Sequence, residues 1–218
     1  MAGDKPIKHF KQNDKGRDFV VGDIHGCFDL LKFRLGEIEF NDEIDRLFSV
    51  GDLVDRGLES EDCIKWINKP WFHAVRGNHE QMAIDYVNGL GEKGHLIQNG
   101  GAWFVCLIRE EQRCFIEMFG DLPIAIEVET KNGLVGIVHA DCPFNDWNDL
   151  KGKIDLPNVI ECCLWDRNRL YSQDKTPIKN IDKVYFGHTP AKEITMLGNC
   201  IYIDTGAVFN GNLTILEL

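Results

Sequence analysis

Apolar residues in this chain come in short runs that stop abruptly, and the segments after them change in character along the sequence. In the first half each run leads into a segment with helical spacing. Phe19-Val21 is followed by Phe28-Ile38, where Leu30, Leu31, Leu35 and Ile38 share one face. Leu47-Val50 precedes Ser60-Asn68, and Phe72-Val75 precedes Asn78-Val87. Strands alternating with helices predict a parallel sheet with helical crossovers. Residues 100–120 read as mostly helical. The pattern then becomes strand-rich, at Pro123-Thr130, Leu134-His139, Lys183-Gly187, Cys200-Asp204 and Asn212-Glu217. The stretch 141–182 is mixed, with one helix expected around 157–164. Residues 1–18 read as a polar arm entering the first strand, and the whole, 1–218, as one domain.

The polar residues that end the runs are the more telling part. FVV leads into GDIHG, LFSV into GDLVDRG, FHAV into RGNHE, VGIV into HAD, and VYF into GHTP. In open α/β sheets ligands collect beyond the carboxyl ends of strands. The side chains delivered there are Asp23, His25, Asp52, Asp55, Asn78, His79, His139 and His188. Each motif alone has an ordinary explanation. GDIHG and GHTP can be turns, GDLVDRG an ion-paired loop, RGNHE a helix start capped by Asn78, and His139 a core histidine. Five such ends with one kind of chemistry point instead to a shared metal site. Carboxylate, imidazole and amide without thiolate suit Mn, Fe or Zn better than an all-oxygen calcium site. The ligands outnumber the needs of one ion, and two ions roughly 3.5–4 Å apart are the usual arrangement for phosphate-ester chemistry. Arg56 and Arg76 sit within the same motifs, where a planar guanidinium can grip phosphate oxygens.

Composition narrows the setting. The 218 residues suffice for one sizeable core, and the net charge of -11 argues against a broad nucleic-acid surface. No apolar run approaches the ~20 residues of a membrane span, and none precedes Phe19 as a secretory signal would. The expectation is a cytoplasmic protein that contacts neither membrane nor nucleic acid. Its eight scattered cysteines are expected to be reduced thiols. Two strings are decoys. Cys163-Arg169 has the C-x5-R spacing of a cysteine-dependent phosphatase but lacks the Gly-rich interior such a loop needs. Gly89-Gly94 fits G-x-G-x-x-G but comes after a helix-like segment rather than a strand.

Together GDIHG, GDLVDRG, RGNHE, HAD and GHTP resemble the signature set of the phosphoprotein phosphatases, within the calcineurin-like metallophosphoesterases. The lambda-like phage and bacterial branch is the better match, because animal and plant relatives carry HGG in place of HAD. The resemblance runs from about residue 19 to the C-terminus. It implies an α/β fold, a sandwich of two mixed β-sheets flanked by helices. It implies a phosphatase acting on phosphoserine and phosphothreonine in proteins, with phosphotyrosine as a side substrate, by direct attack of a metal-bridging hydroxide. It implies that Asp23 and His25 bind one metal, that Asp52 bridges, and that Asn78, His139 and His188 bind the second. Mn2+ is the usual ion of that branch. It implies that His79 is the general acid, held by Asp55, and that Arg56, Arg76 and Arg167 grip the phosphate. Symmetrical diadenosine tetraphosphate hydrolases share such a site but typically carry GDLVARG, without the equivalent of Asp55. A non-catalytic metal-bound scaffold is the alternative of another class. Cys142, where close relatives have tyrosine, and the Gly-rich segment Asn88 to His95 depart from the branch, and substrate preference is expected to differ there.

Overall fold

A computed structural model describes residues 6–218. Its ten strands are β1 (Ile7–Phe10), β2 (Asp18–Val21), β3 (Arg46–Ser49), β4 (Phe72–Ala74), β5 (Ala125–Thr130), β6 (Gly133–Val138), β7 (Lys183–Phe186), β8 (Thr195–Leu197), β9 (Cys200–Tyr202) and β10 (Ile215–Glu217). They form a four-stranded sheet, β10-β2-β3-β4, and a six-stranded sheet, β1-β5-β6-β7-β9-β8. In the small sheet β2, β3 and β4 run parallel, as the alternating pattern predicts, and β10 closes one edge antiparallel. The large sheet is mixed. The expected sandwich of two mixed sheets is thus the observed one.

The helices are α1 (Phe28–Glu37), α2 (Cys63–Ile67), α3 (Asn78–Val87), α4 (Lys93–Gln98), α5 (Ala102–Cys106), α6 (Arg109–Asp121), α7 (Trp147–Lys153), α8 (Pro157–Trp165), α9 (Asn168–Ser172) and α10 (Ala207–Asn210). Among the described residues none is long and apolar enough to cross a membrane.

Three apolar layers explain why the strands read as nearly unbroken apolar runs: both faces of each sheet are covered. Val20, Phe48 and Val50 point inward and meet Ile126, Val128, Ile137 and Tyr185 of the large sheet. Phe19, Val21, Leu47 and Phe72 point outward, against α1, α2 and the α3–α6 group through Phe28, Leu31, Trp66, Phe104 and Phe119. Val138, Val184, Phe186 and Tyr202 face the opposite way, against Trp147, Leu150, Val159 and Cys163 of α7 and α8.

Some elements differ from the sequence reading. The expected polar arm contains β1; residues 1–5 of it lie outside the described residues. β1 joins the large sheet parallel to β5 because its polar residues have partners there. His9 lies 3.1 Å from Glu127 and 3.0 Å from Glu129, and Phe10 packs edge-on against Phe48. The stretch 141–182 holds three helices rather than one, and β8 has no counterpart in the apolar pattern. All of these depend on tertiary partners more than on local periodicity.

Trp147 anchors the second half. It is fully buried on Gly136 of β6, where a Cβ would collide with its ring, and its indole N–H donates to Glu127 at 2.6 Å. Trp147→Ala is expected to cost about 3–5 kcal/mol of unfolding free energy, measured by urea titration; a loss under about 1 kcal/mol would show that the layer repacks without it.

Candidate metal and phosphate site

The carboxyl ends of β2, β3 and β4, and those of β6 and β7, open at one end of the sandwich. The loops leaving them are cross-tied. Ile24 and His25 donate backbone N–H groups to the Asp52 carbonyl at 3.1 and 2.9 Å, and Gly26 donates to Leu53 at 2.8 Å. Much of this backbone lies in the left-handed region that L-residues rarely enter: φ is 46° at His25, 49° at Asp52, 72° at Asp55, 68° at Arg56 and 68° at His188. Such conformations cost energy and cluster where function demands a fixed geometry. Close approach adds a second constraint. A Cβ at Gly187 would collide with the Asp23 carboxylate, and one at Gly77 with Asp52.

Asn78, a helix cap in the plain reading, is instead the first residue of α3; Gly77 caps it. The Asn78 Oδ1 lies 2.8 Å from His139 Nε2 and 2.8 Å from His188 Nδ1. The two ring nitrogens are 3.2 Å apart, and Asp52 Oδ1 is 3.4 Å from His139 Nε2. The other nitrogen of each ring fixes its tautomer: His139 Nδ1–H donates to Val50 O, and His188 Nε2–H donates to Trp165 O. The facing nitrogens therefore carry lone pairs. Two lone pairs, an amide oxygen and a carboxylate oxygen meet with no hydrogen between them. That arrangement is repulsive unless a cation lies at its centre, and the donors are those a divalent transition metal takes.

A second group lies beside it. His25 Nδ1–H donates to Val54 O at 2.8 Å, so its Nε2 carries the lone pair, which accepts from the Arg56 guanidinium and lies 3.5 Å from Asp52 Oδ2. Asp23 accepts the His188 backbone N–H at 2.9 Å. Asp52 belongs to both groups. Burial holds the His25 and His188 rings neutral, down to about 3 in each case. Burial opposes the charged form of Asp52 as well, yet its carboxyl stays below the usual carboxylate range, with the raised His79 at 3.8 Å. Asp23 is raised well above that range by burial and by Asp204 and Asp52.

His79 is set apart by its partner. Its Nδ1–H donates to Asp55 Oδ2 at 2.7 Å, and the other Asp55 oxygen accepts the Trp103 indole N–H at 2.7 Å. Burial pulls the imidazole down, but Asp52 and Asp55 outweigh it and raise His79 above its ordinary 6.5. Arg56 is exposed at the mouth, contacts His25 and stacks on Phe209. Arg167 lies near enough to His139 and His188 for its charge to lower both.

Arg76 turns to the end of α6. Its guanidinium donates to the carbonyls of Phe119 at 3.0 Å, Leu122 at 3.2 Å and Gly120, and to Gln81. These carbonyls belong to the C-terminal end of α6, where helical partners run out; that of Phe119 also accepts the Leu122 N–H at 3.3 Å. In this structure the Arg76 guanidinium caps the end of α6.

Four other residues join the site although their motifs do not single them out. Glu80, fully buried, accepts N–H groups from Leu53 at 2.8 Å, Gly77 at 2.7 Å and Asp52 at 3.1 Å. It stands in view within RGNHE. Trp103 lies in NGGAWF, where nothing marks an indole as a carboxylate partner. Asp204 comes after β9 in YIDTG, a sixth strand end of the same kind; burial, with Asp52 adding to it, pushes its carboxyl up to about 6. Asp141 accepts the N–H groups of Cys142 at 2.7 Å and Arg169 at 3.0 Å, which fixes the loop after His139. The C-x5-R decoy dissolves here. Cys163 is a fully buried thiol held well above its usual pKa, and Arg169 is buried and bound to Asn145 and Thr176.

Arg76→Ala is expected to lower unfolding free energy by about 1–3 kcal/mol, the cost of orphaned carbonyls, with vanadate affinity unchanged; Arg56→Ala should weaken vanadate about tenfold or more with little effect on stability. Calorimetric titration and urea curves on both variants check this, and the reverse pattern would restore Arg76 to the phosphate site.

Residues 19–192 match the family described as calcineurin-like phosphoesterase. The chain is 41% identical over 203 residues to serine/threonine-protein phosphatase 1 of Salmonella typhimurium, covering 92% of this chain and 91% of that protein. It is 29% identical to an asymmetrical bis(5'-nucleosyl)-tetraphosphatase of Geobacillus thermodenitrificans, over 91% and 89% of the two chains. Among solved structures, a protein serine/threonine phosphatase from Saccharomyces cerevisiae shares the fold, with a TM-score of 0.62 at 16% identity over 99% of this chain and 84% of that one.

Proposed function

Because the chain belongs to the calcineurin-like phosphoesterase family, we propose that it is a dimetal protein phosphatase that hydrolyses phosphoserine and phosphothreonine monoesters. Phosphotyrosine and small aryl phosphates are side substrates of the same site. The observation that carries the reading is the Asp55-held His79. Hydrolysis of an alkyl phosphate needs a proton on the departing serine or threonine oxygen, and His79 is built to supply it.

Asp23, His25 and Asp52 would hold one ion; Asp52, Asn78, His139 and His188 would hold the other. Divalent ions bound there would supply positive charge against phosphoryl oxygens and would lower the pKa of a bound water. Mn2+ suits this mixed oxygen and nitrogen set without thiolate. Arg56 and Arg167 orient the phosphoryl group and offset the charge it develops. His79 Nδ1 keeps its hydrogen on Asp55, so Nε2–H is the proton available to the leaving oxygen. The fixed Asp55, tied on its other side by Trp103, keeps the ring from turning. The relative at 41% identity supports a phosphoprotein substrate, and the eight unpaired thiols, four of them buried, support a reducing, cytoplasmic setting.

Metal-stripped protein titrated with Mn2+ should release phosphate from a phosphoserine peptide and lose that activity to chelator. Faster cleavage of a dinucleoside tetraphosphate than of the peptide would transfer the assignment to the hydrolases. His79→Asn should lower kcat by about 10^2–10^4-fold while two ions per chain remain by elemental analysis; lost metal would make His79 a ligand. The raised His79 sets the sign of the pH dependence. The required form is the protonated one, so activity should fall as pH rises through a value above 6.5, and that limb should be missing in His79→Asn.

A further inference from the structure

A cavity of about 350 Å3 opens next to the site, between α3, the Gly-rich loop entering α4, and the end of α8. Its floor is apolar: Met82 and Leu96, both nearly fully buried. One wall is aromatic, where the His95 and Trp165 rings lie 6.4 Å apart at 33°. Two carboxylates complete it, half-buried Asp85 and exposed Glu92. The loop is held in place, since the Asp85 carbonyl accepts the N–H groups of Leu90 and Gly91 at 2.8 and 3.0 Å. Trp165 is common to cavity and site. Its carbonyl accepts His188 Nε2–H at 3.2 Å, and its ring lies 6.3 Å from that imidazole.

We propose that this cavity is a substrate subsite that takes a lysine or arginine side chain lying close in sequence to the phosphorylated residue. The inference rests on the protein-phosphatase reading and adds to it a substrate class. An apolar floor with carboxylates above it matches a side chain with an aliphatic stem and a cationic head. The indole face adds attraction for the same head. An extended chain advances about 3.3–3.6 Å per residue, so a residue two or three positions from the phosphoserine reaches across Trp165. Charge decides against the other occupant of suitable shape. An adenine could stack on Trp165, but its polyphosphate would then pass two carboxylates.

The test uses the Mn2+-loaded full chain and matched phosphoserine peptides. Arginine, lysine, norleucine or glutamate is placed singly at each of three positions on either side of the phosphoserine. At one position arginine and lysine should raise kcat/KM about tenfold over norleucine, glutamate should lower it, and the spread should narrow at high salt. The double variant Asp85→Asn, Glu92→Gln should erase the preference, and Glu92→Lys should invert it towards glutamate. Turnover of p-nitrophenyl phosphate, too small to enter the cavity, should stay unchanged in both variants. Equal kcat/KM across the peptides, or a preference that survives the double variant, overturns the subsite while leaving the phosphatase reading intact. Cleavage of a dinucleoside tetraphosphate ahead of every peptide overturns both.

Discussion

The site hangs on one buried carboxylate. Glu80 gathers backbone N–H groups from the loop after β3 and from the start of α3, so the segments bearing Asp52, Asn78 and His79 are held as a single piece. Hydrogen bonds to a charged acceptor contribute about 1.5–3 kcal/mol each, enough to offset left-handed residues at roughly 1–3 kcal/mol apiece. Burial, with Asp52 close by, pushes the Glu80 carboxyl up to about 7. Without it Asp52 would lose its fixed register against Asn78, and the two groups it joins would separate.

Much of this is legible in the sequence, for a definite reason. Each strand is buried on both faces, so its end is marked by an abrupt change from apolar to polar, and GDIHG, GDLVDRG, RGNHE, HAD and GHTP all carry that mark. Topology then brings the ends together because β2, β3 and β4, like β6 and β7, run parallel. The features that stay hidden depend on direction and distance. RGNHE places Arg76 on a loop but cannot say that its guanidinium turns to the end of α6, more than forty residues away in sequence. Glu80 acts through backbone donors, which leave no residue pattern. Trp103 meets Asp55 only because α5 folds back over the loop after β3. β1 is concealed because its polar side chains are paired across the sheet, so its pattern resembles a solvated arm.

The acidic net charge and the affinity for phosphate that the site requires are compatible because they operate at different ranges. Exposed carboxylates far from the site are screened within about 10 Å at moderate salt. At the cluster itself the nearby fixed cations are Arg56 and Arg167, and the neutral imidazoles of His25, His139 and His188 add no repulsion to bound metal. The Gly-rich loop is likewise separate from the chemistry. It supplies no ligand and lies across Trp165 from the metal groups, so it can change in sequence without disturbing the strand ends.

One pairing has a consequence for how the molecule is made. β2, whose end bears Asp23 and His25, is completed on its open side by β10, far along the sequence; Leu218 N–H also donates to the Asp18 carbonyl at 2.9 Å. A ribosome delivers β2 early and β10 only after the other strands among the described residues. Through nearly all of that interval the edge of β2 offers unpaired N–H and C=O groups, the kind of template on which chains aggregate. The nascent protein should therefore depend on chaperone cover until β10 has emerged, and a ribosome stalled short of Thr214 would present β2 with a sticky, unpaired edge.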